Sequence, residues 1–160
     1  MPQPQRRRPS PSSGCSRRAR RRSGRCGPRR RAWSAGGGPE GFSVRVHRLD
    51  LRVGGRLELV MGTEVPEIVA MLKASGVSPS NALVCTYTEV EPNHRLVYQN
   101  LVDFVPGVPP YTATTRVELT PVPGGTRLAV TNDVMHSAEW TERARMGWEQ
   151  EIGKLERALG

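Results

Sequence analysis

The sequence predicts an α+β domain with antiparallel strands, and three observations predict it. Three pairs of alternating apolar segments, each pair joined by a turn or loop signal, follow one another between residues 42 and 133. One long segment with helical periodicity follows them. All of this patterning lies beyond about residue 38, where the composition changes abruptly.

The first strand is expected over FSVRVHRLDLRV, with Val44 and Val46 on one face. Val53-Gly54-Gly55-Arg56 supplies a turn into RLELVM, whose Leu57, Leu59 and Met61 share a face. Thr63 is placed to cap a short helix over VPEIVAMLKASG, with Val65, Ile68, Met71 and Leu72 at helical spacing and Gly76 as its stop. ALVCTYTEVEP and RLVYQNLVDF form the second pair around Pro92-Asn93-His94. The VPGVPP stretch cannot continue a ladder, because proline lacks the N–H a ladder needs. TATTRVELTPV and TRLAVTND flank Pro123-Gly124-Gly125, with Val117 and Leu119 expected to pair with Leu128 and Val130. Ser137 then precedes AEWTERARMGWEQEIGKLERAL, a helix with acids early and Lys154 and Arg157 late, as the helix dipole favours. Its apolar stripe is Trp140, Ala144, Trp148, Ile152, Leu155 and Leu159. Gly147 costs this helix about 1 kcal/mol relative to alanine and suggests a close approach to the sheet.

Charge divides the chain in the same place. Of 24 basic residues, 12 lie in residues 1–31, all arginine, with no acid among them; the rest carries 12 bases against 15 acids, a net of −3. The high isoelectric point therefore belongs to residues 1–38, an Arg/Pro/Ser/Gly-rich tail with too little apolar surface to offset its ordering entropy. Disorder is expected there, with the domain over 39–160. Such a tail would bind phosphate backbones at low salt, although it lacks the interleaved aromatics of a stacking platform. Cys15, Cys26 and Cys85 are too few and too scattered for a disulfide framework, which fits a reducing cytoplasm. No apolar run reaches the roughly 20 residues of a membrane span, and no secretory signal is evident.

RLDLRVGGRLELVM, YTEVEPNHRLVYQN, VELTPVPGGTRLAVTND and GWEQEIGKLERAL, in this order and spacing, resemble the START-like (SRPBCC, helix-grip) family, in the branch of activators of heat-shock protein 90 ATPase. The resemblance covers residues 39–160. It implies an antiparallel sheet curled around the long C-terminal helix, with a cavity between them for apolar small molecules or, in the co-chaperone branch, binding to the chaperone itself. Many bacterial members have no known ligand. The family begins with a strand and two short helices ahead of a Gly-Pro-Glu-Gly-Phe stretch. Here Gly38-Pro39-Glu40-Gly41-Phe42 is present but arginine-rich sequence precedes it, so that strand and both helices are expected to be missing. With suitable third bases, the codons for residues 32–38 read in another frame give Val-Glu-Arg-Trp-Trp-Gly, so the tail is also open to being a frame-shifted or mis-called segment.

No catalytic constellation is visible. A nucleophile elbow, a phosphate-cradling loop and a CxxC pair are all missing. Asp133, His136 and Glu139 lie close in sequence, but too few ligands cluster there for a structural metal, and a role in starting the helix is expected. Cys85 reads as a buried strand thiol. No cofactor or metal is expected. Tyr87, Tyr98, Phe104, Tyr111, Met146, Trp148 and Trp140, together with Met135, are candidates for a cavity wall, each weighed against plain core packing. Tyr98 and Trp140 rank first, because each has a polar group that could orient a ligand in an apolar pocket. The expectation is a non-enzymatic domain binding a small lipophilic ligand. The alternatives are a chaperone-binding activator and nucleic-acid binding through the tail.

Overall fold

A computed structural model describes residues 10–12 and 37–159 of the chain. Its strands are β1 (Ser10–Ser12), β2 (Ser43–Leu49), β3 (Arg56–Gly62), β4 (Ser80–Glu91), β5 (Arg95–Val102), β6 (Tyr111–Val122) and β7 (Gly125–Asn132). Helix α1 (Pro66–Ala74) follows β3, and helix α2 (Ala138–Leu159) follows β7. The strands form one antiparallel sheet in the order β1-β7-β6-β5-β4-β3-β2, so each strand from β2 to β7 pairs with its neighbour in sequence. Short turns explain the pairs β2–β3, β4–β5 and β6–β7, while residues 63–79 with α1 link β3 to β4 and residues 103–110 link β5 to β6.

The hairpin chemistry is where the sequence placed it. Gly54 and Gly124 take φ near +80°, and Asn93 takes φ of 63° in the turn that joins β4 to β5. Val117 pairs with Val130 and Leu119 with Leu128. Val44, Leu57, Leu59, Cys85, Tyr87 and Tyr98 make the main buried cluster, which Val46, Met61 and Trp148 also pack against. A bulge between Val46 and Arg48 breaks the register of β2. Loop 105–110 turns back toward α1, where Pro106 sits 3.3 Å from the position a Cβ at Gly76 would occupy.

Three expectations need correction here, and those on the tail are not reached. Ser10–Ser12 lies antiparallel to β7, so the edge expected to lack its first strand carries a three-residue one. The nucleic-acid reading and the rest of the tail, including Cys15 and Cys26, fall outside the described residues. Thr63 does not cap α1. Val65 is the N-cap without a side-chain bond, while the Thr63 hydroxyl donates to Gly41 O at 2.7 Å and accepts from Val65 N. Leu155, on the α2 stripe, is 41% exposed, although Ile152 one turn earlier is buried.

Gly147 does not approach the sheet either. A Cβ there would meet Pro39 Cγ at 3.5 Å, an ordinary contact. Gly147→Ala is therefore expected to stabilise the domain by about 0.5–1 kcal/mol, read as a raised unfolding midpoint in denaturant.

Candidate functional site

Three clusters lie along the inner side of α2, and the helix spacing orders them. Near its N-terminus, Trp140 meets Phe104 (ring centroids 6.1 Å apart) and His136 (5.5 Å). His136 also meets Tyr111 edge-on at 5.7 Å and shares a hydrogen bond between its Nδ1 and the Tyr111 hydroxyl at 2.9 Å. The end of β5, the start of β6 and the residues leading into α2 converge here, which brings rings from distant parts of the chain together. All four rings remain half-buried, and the Arg143 guanidinium lies 5.3 Å from the centre of Trp140. Ser137 caps the helix by accepting from Trp140 N at 3.2 Å, which fixes the backbone that carries the indole.

The middle cluster is the core itself. Tyr87 and Tyr98 face each other across β4 and β5, edge to face at 6.1 Å, under Trp148. Burial raises the pKa of Tyr98 well above its ordinary value, and the nearby Cys85 and Glu151 add to the rise. The Tyr98 hydroxyl is bonded to Thr115, its partner across β6, and Thr115 donates to Asn132 Oδ1 at 2.8 Å. The Tyr87 hydroxyl, by contrast, is buried with no hydrogen-bond partner. Burial also pushes the Cys85 thiol up to about 11, so it stays protonated and unreactive.

The third cluster straps residues 37–41 to the C-terminal half of α2. Glu151 Oε1 accepts from Gly38 N at 2.8 Å, and Gln150 Oε1 accepts from Glu40 N at 3.0 Å. Lys154 Nζ donates to Gly38 O at 3.0 Å and to Gly37 O, while Arg157 pairs with Glu40. Gly38 and Gly41 both take φ near +80°, which lets this short segment turn onto the helix. Burial lifts the Glu151 carboxyl to about 7, against the opposing effects of the Gly38 N–H and Lys154.

Tyr98, Tyr87 and Trp148 thus fall in the core cluster, and Trp140, Phe104 and Tyr111 in the outer one. Met146, expected at the cavity wall, is 48% exposed instead. The sequence reading missed Glu151, which sits one position from the Ile152 of the apolar stripe. An acid so close to a buried stripe was the signal that could have found it. Asp133 accepts from Thr114 N and lies near Arg116, and Glu139 pairs with Arg143, so neither joins His136. Among the described residues no group of His, Cys, Asp and Glu could hold a metal, and no helix is long and apolar enough to cross a membrane. An open groove of about 410 Å³, lined by residues 41–43 and 62–65, adjoins the strap at Gly41 and includes none of the aromatic-cluster residues.

Comparison with known proteins agrees with this architecture. The sequence model of the family described as "Activator of Hsp90 ATPase homolog 1-like protein" matches residues 28–160, beginning before the expected boundary at residue 39. Protein CV1439 from Chromobacterium violaceum is similar in structure, with 23% identity and a TM-score of 0.66 over 81% of each chain. Protein NE0264 from Nitrosomonas europaea matches at 26% identity and a TM-score of 0.60, covering 82% of this chain and 80% of that one. The AHSA1 protein SPO3351 from Silicibacter pomeroyi matches at 21% identity and a TM-score of 0.55, covering 80% and 85%. No curated protein matches the chain.

Proposed function

Because the chain belongs to the family of Activator of Hsp90 ATPase homolog 1-like proteins, we propose that it is a non-catalytic domain that binds a small lipophilic ligand between its sheet and α2. The observation that carries this reading is the outer aromatic cluster. Phe104, Trp140, His136 and Tyr111 are joined by successive ring contacts but only half-buried, where the start of α2 meets β6 and the residues after β5. Large rings that pack on each other yet stay partly uncovered leave apolar surface for an incoming molecule. The buried thiol and the committed hydroxyls of Tyr98 and Thr115 supply no nucleophile, which favours binding over chemistry.

Trp140→Ala should weaken binding of a neutral lipophilic dye roughly tenfold, the loss expected for a buried aromatic contact. Circular dichroism should remain that of the folded domain. Unchanged dye affinity in a folded variant would sink this assignment. The family's printed description supports a second reading, in which the domain contacts the Hsp90 chaperone. Stimulation of that chaperone's ATPase by the full chain, unaffected by Trp140→Ala, is the result that would favour it.

A further inference from the structure

Tyr87 poses a problem that packing alone does not solve. Its side chain is among the most buried of the described residues, at 1% exposure, and its hydroxyl has no hydrogen-bond partner. A buried donor left unpaired costs about 1–3 kcal/mol. Phenylalanine would fill the same space without that penalty. The neighbouring polar groups do not answer it: the Tyr98 hydroxyl is bonded to Thr115, Thr115 donates to Asn132, and the thiol of Cys85 is a weak partner.

Resting on the lipophilic-binding reading above, we infer that the Tyr87 hydroxyl is the polar anchor of the ligand site, donating its proton to an uncharged oxygen acceptor, a carbonyl or ether, at one end of the bound molecule. Val44, Leu57 and Leu59 around Tyr87 are apolar and would meet the carbon skeleton. Trp148 lies over this cluster and Trp140 over the outer rings, eight residues apart, or about 12 Å along the helix. A ligand that touches both the anchor and the outer rings must be about that long.

Charge decides against an anionic acceptor. Glu151 lies close enough to raise the pKa of Tyr98, so a carboxylate here would face a second acid. Lys154 and Arg157, the cations on the same stretch of α2, are already engaged by Gly37, Gly38 and Glu40. A buried anion would therefore go uncompensated.

The test uses the full chain and three probes on one skeleton: 2-acetylnaphthalene, 2-isopropylnaphthalene and 2-naphthoate. Tyr87→Phe should lower affinity for the ketone about five- to tenfold and leave the hydrocarbon within about twofold. The naphthoate should bind the wild type more weakly than the ketone. Unfolding of the variant in denaturant should be unchanged or shifted to higher concentration, because no existing bond is lost. Equal effects on ketone and hydrocarbon, or a clear loss of stability, would overturn the anchor while leaving lipophilic binding in place. Tighter binding of the naphthoate would overturn the neutral-acceptor class. Failure of the wild type to bind either neutral probe would overturn the binding reading and the anchor with it.

Discussion

Gly55→Ala is expected to destabilise the domain by about 3 kcal/mol, near the upper end of what overpacking costs. A Cβ at this position would lie 2.1 Å from Asp50 O and 2.9 Å from Arg52 O, both backbone atoms that no rotamer change can move aside. The turn around it is tied on two sides. Gly55 N donates to Arg52 O at 2.8 Å within the loop. Gly54 N donates to Tyr87 O at 2.8 Å, and Tyr87 N donates to Gly55 O at 3.0 Å. Opening the turn to admit a methyl would pull on the strand that carries Tyr87. Gly54→Ala is the control: it sits at φ +79° with nothing within 4 Å, so only the left-handed conformation is penalised, by about 1–2 kcal/mol. Denaturant titration of both variants checks the ranking, and a Gly55→Ala loss no larger than that of Gly54→Ala would contradict the packing argument.

Glu151→Gln should change how stability depends on pH. The folded domain holds this carboxyl near 7, above its ordinary 4.5. Between those values the folded state retains a proton that the unfolded chain releases. The stabilising contribution is therefore complete below about 4.5 and is lost as pH rises through 7. At pH 8 the wild type must hold a poorly solvated carboxylate, a penalty on the order of 2–3 kcal/mol. Glutamine keeps an oxygen for Gly38 N and carries no charge, so the variant should gain most of that amount at pH 8 and little at pH 4. Stability measured by denaturant at both pH values tests this. Parallel pH profiles for the two proteins would mean that the carboxylate is well solvated in the folded state.

The parts of the fold that depend on local chemistry were legible. Pro123-Gly124-Gly125 and the alternation on either side of it specified both the hairpin and the pairing of Val117 with Val130. Ser137 marked the start of α2, and its hydroxyl accepts from Trp140 N as a capping residue should. Periodicity was less reliable at Leu155, which is 41% exposed. It shows which residues share a helix face, and the tilt of the helix over the sheet determines how far that face stays covered. Thr63 failed as a cap because Val65 is the N-cap, and the Thr63 oxygen accepts from Val65 N and not from the first turn of the helix.

The candidate site was legible as a set of rings and not as an arrangement. Tyr87, Tyr98, Phe104, Tyr111, Trp140 and Trp148 could be named from residue type, but their division between a core and an outer group depends on contacts between β4, β5, β6 and α2. By itself the sequence determined the α+β class, the meander and the long terminal helix, because turn residues and hydrophobic period act over a few neighbouring positions. Only the tertiary structure decided that the Tyr98 hydroxyl meets Thr115 while that of Tyr87 has no partner, and that Glu151 meets Gly38 across 113 positions of chain. Burial and hydrogen-bond partnership are properties of surroundings assembled from distant segments, so they are fixed when the sheet and helix close on each other.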